Sequence, residues 1–169
     1  MRRTSLILIG ALTLVAAPAV AVAATSPDRP VSHLATTRSA ATVIDFTVPQ
    51  NGGRSQQLDL GRHGLSVGDE FFTTDQPAYA AGTTQRIATL DGVETIISGA
   101  HQGTVLENGT IRLHGGLVMF GGVVRHTDRP FRMAVTGGTG RYANATGQLT
   151  VVSEDNHTMS TNLELELSQ

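Results

Sequence analysis

The sequence of 169 residues contains no cysteine, no tryptophan and no lysine. Without cysteine there are no disulfides, thiolate metal sites or cysteine nucleophiles, so burial and hydrogen bonding alone must hold the fold together. All 12 basic residues are arginine, a usage associated with bacterial genomes of high GC content. Aromatic residues are scarce, with five Phe and two Tyr, so few bulky side chains are available to fill an interior.

The first 24 residues predict a cleavable secretory signal peptide. Arg2 and Arg3 precede an apolar run from Leu6 to Ala17, and small residues follow it. A run of about 12 apolar residues is too short to cross roughly 30 Å of hydrocarbon as a helix. We therefore expect cleavage near Ala23 or Ala24, a secreted protein, and no stable membrane anchor after cleavage. The paired arginines leave Sec and twin-arginine export both open.

The rest of the chain divides into a short linker and one domain. Removing the signal peptide leaves 10 arginines against 14 acidic residues, a net charge near −4. This weakly acidic balance predicts no nucleic-acid partner. Residues 25 to 41 are polar, punctuated by proline and without apolar periodicity, which predicts a disordered linker. Residues 42 to 169 are long enough for a single domain with its own core.

Short segments rich in β-branched residues and glycine, separated by turn signals every 8 to 12 residues, predict an all-β domain. The predicted strands are Thr42–Val48, Ser55–Leu60, Glu70–Ala78, Thr83–Leu90, Glu94–Val105, Thr110–Phe120, Phe131–Thr136, Thr146–Ser153 and Met159–Leu167. No segment has helical periodicity. We predict a closed antiparallel β-barrel of about eight strands, calycin-like, rather than a sandwich, because closure removes exposed strand edges.

Three segments predict local features of this barrel. Asn108-Gly109 is typical of a type I′ hairpin turn, because both residues tolerate a positive φ. Strict alternation from Thr161 to Leu167 predicts a last strand with one dry and one solvated face. The apolar run Gly115–Val124 is better explained as a buried strand with glycine bends than as a membrane contact.

The segment Val135–Ala143 reads Val-Thr-Gly-Gly-Thr-Gly-Arg-Tyr-Ala and superficially matches a dinucleotide-binding fingerprint. Its context excludes that function, because the fingerprint needs a following helix, a parallel strand and an acidic residue about 20 positions on. Only 26 residues follow Ala143, and they predict two strands. We predict instead a turn-rich connection, with one short helical turn over Arg141 to Asn144, that closes one end of the barrel.

Continued by Ala145–Leu149, this segment resembles the signature of allene oxide cyclase and dirigent-like barrels. In that family a Gly-Gly-Ser/Thr-Gly turn is followed by an aromatic residue, then by a small residue and Gly that open the next strand. Leu65–Phe72, with its Gly68-Asp69 pair, resembles the start of a strand in the same superfamily. The likeness extends from Thr42 to Leu167 and implies a small apolar ligand in the barrel. It also implies either a cofactor-free cyclase or isomerase, or a dirigent protein that steers coupling.

The resemblance also suggests candidate site residues. Plant allene oxide cyclases use an acidic residue on the first strand with an Asn and a Pro nearby, although the order and spacing here depart from theirs. Dirigent proteins use Asp, Arg and Tyr groups, and the strand before the glycine turn offers Arg132 but no Asp. An outward, solvated side chain is the competing interpretation for every candidate. The nearest counterparts of the cyclase residues are Asp45, Asn51 and Pro49, and polar residues in or beside the predicted strands add Tyr79, Arg86, His101, Arg112 and His114. Of these, Asp45, Tyr79 and Arg86 are predicted for catalysis, and Asn51, Pro49, His101, Arg112 and His114 for ligand binding.

Other chemistries find little support. The six histidines show no spacing that places two metal ligands on one face, so no metal site is predicted. No Gly-x-Ser-x-Gly elbow is present for a hydrolase triad, and no cofactor is required by the function that the resemblance implies. A non-catalytic carrier and a structural barrel filled by side chains remain alternatives, although the few aromatic residues favour an open cavity. Related barrels form dimers or trimers through their outer faces, and both states are open here.

Overall fold

The computed structural model describes residues 41–99, 103–125, 128–155 and 157–168. The predicted signal peptide, nearly all of the predicted linker and His101 lie outside these ranges. Within them, no helix is long and apolar enough to cross a membrane. The described elements are β1 (Thr42–Pro49), β2 (Arg54–Leu58), β3 (Glu70–Ala80), β4 (Arg86–Ser98), β5 (Thr104–Leu113), β6 (Gly116–Arg125), β7 (Phe131–Gly138), a 3₁₀ turn (Gly140–Tyr142), β8 (Thr146–Asp155) and β9 (Ser160–Ser168).

The strands form a closed antiparallel barrel of eight strands with one extra strand, which confirms the predicted fold class. Strands β3 to β9 pair in chain order, and β9 then pairs with β1. The barrel closes where β1 returns to β3, through the pairs Phe46–Ala80 and Thr47–Tyr79. The extra strand, β2, pairs with the first half of β3. We call the line along which β3 meets β1 and β2 the seam.

Alternating side chains build the core, because successive residues of a strand point to opposite faces. Along β9, Leu163, Leu165 and Leu167 are buried, while Asn162 and Glu164 are only partly covered, which confirms the predicted dry and wet faces. The same alternation along β1 leaves Phe46 and Val48 buried. The interior of the barrel is therefore apolar along most of its length.

The predicted hairpin turn at Asn108-Gly109 is wrong, since both residues lie in the middle of β5. The turn that follows β5 is at His114-Gly115, where Gly115 has a φ of +93°. Gly109 instead leaves room for the ring of Phe120 on β6, because a Cβ at this position would lie 2.4 Å from Cζ of that ring. In the same way, the segments predicted as two strands around Leu90 and Glu94 form one continuous strand, β4.

The predicted short helical turn is confirmed as the 3₁₀ turn Gly140–Tyr142. The backbone N–H of Arg141 donates to the carbonyl of Gly115 at 2.9 Å, which holds this turn against the β5–β6 turn. A Cβ on Gly140 would lie 2.1 Å from the same carbonyl oxygen, so only glycine permits this approach. Tyr142 is buried and joins the core at this end of the barrel.

Asp69, in the Gly68-Asp69 pair, anchors the loop between β2 and β3. The side chain is buried, and its carboxylate accepts hydrogen bonds from the backbone N–H groups of Leu60 at 2.9 Å and Ser66 at 2.8 Å. Burial alone would raise the pKa of Asp69, but hydrogen bonds from Ser66, Leu60 and Gly61 outweigh it, so the pKa is lowered. The ionised carboxylate therefore organises this loop.

Candidate functional site

A cavity lies inside the barrel, away from the end covered by the 3₁₀ turn. It encloses about 690 Å³ of space free of atoms, counting its open mouth, of which a water molecule's centre can reach about 80 Å³. A single water needs roughly 10–15 Å³ of such space, so the cavity has room for a small organic molecule. Its walls are mainly apolar and include Phe71, Leu90, Phe120, Met133 and Leu163.

Two glutamates, Glu94 on β4 and Glu107 on β5, also line this cavity. They are directly opposite each other in the antiparallel register of the two strands, which places their Cβ atoms roughly 4.5–5.5 Å apart. Both are buried, with 9% and 7% of their surface exposed. Two like charges would repel strongly at this separation, so the geometry favours a pair that keeps a proton.

Burial controls how this pair titrates. Loss of water raises the pKa of Glu107 to about 8. Burial also raises the pKa of Glu94 well above its ordinary value, and the negative charges of Glu107 and Glu154 raise it further. At neutral pH the pair therefore retains protons that solvent-exposed glutamates would have lost. Protons leave the two groups in coupled steps that belong to the pair.

Glu154 on β8 and Gln76 on β3 extend the polar part of the interior. One carboxylate oxygen of Glu154 bonds Arg129, and the other is buried without a hydrogen-bond partner among the described residues. The amide nitrogen of Gln76 donates to the carbonyl of Pro49 on β1, while its Oε1 has no partner within the described chain. Gln76 lines the cavity at the seam.

The residues predicted as catalytic lie away from this cavity. Asp45 and Arg86 are exposed, and Tyr79 is partly buried, but none of the three lines the cavity. Tyr79 is opposite Arg86 across β3 and β4, whereas Asp45 is opposite Glu164 on β9. The guanidinium of Arg86 donates to Oγ1 of Thr89 at 2.7 Å. Their catalytic assignment is not tested by these positions and stays a prediction.

The predicted ligand-binding residues are dispersed. Arg112 forms an ion pair with Asp91 at 3.1 Å, and Asp91 also accepts a hydrogen bond from the backbone of Asp75 in the β3 bulge. His114 is exposed in the β5–β6 turn, and Asn51 is exposed after β1. Pro49 takes part through its carbonyl, which accepts from Gln76, and His101 lies outside the described residues. Their role in ligand binding also stays a prediction.

Sequence reasoning missed Glu94 and Glu107, although a signal for them exists. Glu94 falls in the alternation that buries Ala88 and Ile96, and Glu107 in the one that buries Val105 and Ile111. An acidic residue at the apolar phase of a strand indicates a buried carboxyl group. The predicted turn at Asn108-Gly109 separated Glu107 from Ile111, and the predicted break between Leu90 and Glu94 separated Glu94 from Ala88, so the alternation could not be followed through either strand.

The arrangement is suited to moving a proton in a dry environment. No group of three His, Cys, Asp or Glu side chains suited to holding a metal ion occurs among the described residues. A carboxyl group that keeps its proton at neutral pH can donate it, and a neighbouring carboxylate can take one back. Glu94 and Glu107 supply such a donor and acceptor within one apolar cavity.

The closed eight-stranded architecture, with its short 3₁₀ turn after β7 and its internal cavity, is the barrel fold also found in dirigent proteins and Diels-Alderases, which agrees with the fold that the sequence motifs predicted. Neither a scan against protein-family models nor a search of curated proteins finds a match. Solved structures do match this chain, and they show which proteins share its fold.

Three solved structures illustrate this placement. A pyocyanin demethylase is 27% identical with a TM-score of 0.62, and the match covers 75% of this chain and 99% of the demethylase. A pterocarpan synthase dirigent protein is 19% identical with a TM-score of 0.58, covering 78% and 95% of the two chains. An exo-specific intermolecular Diels-Alderase is 13% identical with a TM-score of 0.60, covering 77% and 98%. The latter two likenesses establish the fold.

Proposed function

We propose that this protein is an exported, cofactor-independent barrel that binds a small, mainly apolar molecule and directs its cyclisation or coupling. The observation that carries this proposal is a preformed apolar cavity holding two buried carboxyl groups, Glu94 and Glu107, opposite each other. The fold supports it as well, because its neighbours include a dirigent protein and a Diels-Alderase.

The apolar walls would act by holding the ligand in one conformation. A flexible molecule confined between Phe71, Phe120 and Leu163 gives up rotational freedom before the reaction begins. Positioning of this kind supplies a large part of the acceleration in intramolecular reactions. A bound ligand would displace water from these walls, which would strengthen every electrostatic interaction inside the cavity.

The carboxyl pair would act by proton transfer. Glu107 or Glu94, when protonated, donates to a ligand oxygen on which negative charge develops, and this stabilises the transition state. The carboxylate left behind then accepts a proton from another atom of the same ligand. One proton enters and one leaves, so an isomerisation of this kind needs no external acid, base or cofactor.

The 27% identity with pyocyanin demethylase favours a second candidate, action on a small planar aromatic compound such as pyocyanin. The walls formed by Phe71 and Phe120 would suit a flat ring. Incubation of the protein with pyocyanin, followed by its visible absorbance, tests this candidate directly. Loss of colour that depends on Glu94 and Glu107 would favour it over cyclisation.

Binding is the first part of the proposal to test. An environment-sensitive hydrophobic dye can be titrated into the protein, whose lack of tryptophan leaves little overlapping fluorescence. Val151→Phe would fill the cavity, whereas Val152→Phe places the same ring on the exposed side of β8 as a matched control. We expect saturable dye binding that Val151→Phe abolishes and Val152→Phe leaves unchanged.

The outcomes separate the alternatives. Saturable binding in the cavity, displaced by candidate dienes or by pyocyanin and followed by conversion, supports an enzyme or a dirigent protein. Binding without conversion of any displacing ligand would instead identify a carrier. Absence of saturable binding in a folded protein, checked by circular dichroism, would overturn the ligand-binding proposal in favour of a structural barrel.

A further inference from the structure

The interior beside the cavity contains buried polar side-chain atoms without hydrogen-bond partners. In the described part of the chain, three buried side-chain oxygens have no hydrogen-bond partner, namely Gln76 Oε1, Glu107 Oε2 and Glu154 Oε1. A buried polar atom without a partner is unfavourable, because it has lost its hydrogen bonds to water and gained none in return. One of the three is an amide on a different strand from the carboxyl groups. The deficit is therefore not a property of the acidic residues alone.

The charged groups around the carboxyl pair are also mainly acidic. Glu107 faces Glu94 across the β4–β5 ladder, and the negative charge of Glu154 reaches Glu94 from β8. The guanidinium of Arg129 bonds Glu154 at that side. At the rim of the cavity, Asp91 is engaged by Arg112 on the outer surface. The pair is thus surrounded by acidic groups whose ion pairs lie elsewhere.

We propose that the cavity selects a small aromatic cation, such as a protonated amine or an N-alkylated ring. This inference rests on the proposed function and deepens it by naming the class of ligand. A positive charge placed against the carboxyl pair would meet Glu94 and the unpartnered Oε2 of Glu107, both of which line the cavity. The rings of Phe71 and Phe120 would stabilise the cation through their π faces while packing against its apolar frame.

Binding of such a cation releases a proton. In the empty cavity the pair keeps its protons because burial raises the pKa of both groups. A cation placed against the pair favours the ionised form, so one carboxyl group loses its proton to solvent as the cation enters. Charge inside the cavity is then balanced. Affinity should rise about tenfold per pH unit below pH 8, since one proton leaves for each cation bound.

The test compares two probes of the same shape. N-methylquinolinium carries a permanent positive charge, and 1-methylnaphthalene is its neutral counterpart. Isothermal titration of the protein in phosphate and in Tris at pH 7, whose ionisation enthalpies differ, counts the protons released. We expect N-methylquinolinium to bind at least tenfold more tightly than 1-methylnaphthalene, with about one proton released for the cation and none for the neutral probe.

Three variants locate the effect. Glu107→Gln and Glu94→Gln keep the shape of the side chains and should each reduce proton release and weaken cation binding by about tenfold or more, with little change for the neutral probe. Glu164→Gln removes an acidic group on the other face of β9 and controls for net charge. Circular dichroism confirms that each variant is folded.

The outcomes distinguish this inference from the function on which it rests. Equal binding of the two probes, or cation binding without proton release, overturns the inference and leaves the ligand-binding proposal standing. Binding of neither probe overturns both. An effect of Glu164→Gln as large as that of Glu107→Gln would show that the protein's overall charge, rather than the carboxyl pair, attracts the cation, which also overturns the inference.

Discussion

Glu107 shows at the scale of a single residue how function and stability compete. Its carboxyl group is buried opposite another acid. An apolar or amide side chain at this position would not place two acidic groups next to each other. The unfolded chain ionises this group near the ordinary pKa, whereas the folded protein holds it protonated up to about pH 8. Folding stability therefore decreases as the pH rises between these two values.

Substitution of Glu107 by Gln should stabilise the protein at alkaline pH. The amide has nearly the same shape as the protonated acid but cannot ionise, so the loss of stability on raising the pH disappears. We expect an increase in the free energy of unfolding of a few kcal/mol at pH 8, and little change at pH 4. Chemical denaturation at the two pH values measures it. Equal stability of the two proteins at pH 8 would contradict a buried, protonated Glu107.

Asp69 illustrates the opposite case, a carboxylate that stabilises by being ionised. Asp69→Asn retains the shape but weakens the hydrogen bonds from Leu60, Gly61 and Ser66. We expect a melting temperature several degrees lower at pH 7, with most of the difference lost as the pH falls below about 4. Asp59→Asn, in the same loop but more exposed, is the control. An unchanged melting temperature for Asp69→Asn would refute this anchoring role.

Predicting the candidate site required knowing, residue by residue, which side chains of each strand face the interior of the barrel. Polar residue types on strands could be found from the sequence, which is how Asp45, Tyr79 and Arg86 were chosen. Which side of the strand faces inward requires the strand to be followed without interruption, because a shift of one residue reverses the faces. The acids Glu94 and Glu107 were missed for this reason.

At the scale of the strand, the segment around Asn108-Gly109 shows how local and tertiary signals conflict. The dipeptide is a strong hairpin signal in isolation. In the barrel, its neighbours pair in continuous ladders on both sides, with Val93 opposite Asn108 on β4 and Gly121 opposite it on β6. Long-range pairing of this kind overrides a turn preference, and a single sequence does not display it.

Packing at Gly109 can be tested by adding one methyl group. Gly109→Ala would bring a Cβ within 2.4 Å of Cζ of Phe120 and 2.7 Å of the carbonyl of Asp91. The ring must then move into the cavity that it lines. We expect destabilisation of about 1–3 kcal/mol and weaker ligand binding. Gly82→Ala, in an exposed turn, gives a second glycine variant, whose φ of +71° carries its own smaller cost.

If Gly109→Ala proved no less stable than Gly82→Ala, the packing of β5 against Phe120 would be looser than described. Preserved stability with lost binding would instead show that the ring rotates freely into the cavity. Thermal unfolding and dye titration together separate these results.

The whole molecule was easier to predict than its parts. Regular turn signals and the lack of helical periodicity were sufficient for an antiparallel barrel, and the glycine-rich motif indicated the fold that it shares with dirigent proteins. These signals are distributed over the chain, so an error in one strand does not alter them. The cavity was expected in general terms from the few aromatic residues, but its position required the structure.

Some carboxyl groups of this protein have lowered pKa values and others have raised ones. Together they should make the folded protein most stable in mildly acidic solution. Despite burial, hydrogen bonds lower the pKa of Asp69, and hydrogen bonds from Thr158 and His157 lower the pKa of Asp155, so the contribution of both groups to stability is present above the ordinary pKa and lost as the pH falls. Glu107 has a raised pKa, so stability is lost as the pH rises towards 8. We expect a maximum melting temperature near pH 4 to 5, measured by circular dichroism across pH 2 to 9. A maximum above pH 7 would contradict this balance.

The barrel closes at the seam through only two described residue pairs between β1 and β3. Along this edge, β1 contacts Tyr79 and Ala80, β2 contacts Glu70 to Thr74, and the stretch between is bridged by the Gln76 amide rather than by a described backbone pair. Because Gln76 also lines the cavity, one side chain takes part both in closing the barrel wall and in forming the surface of its interior.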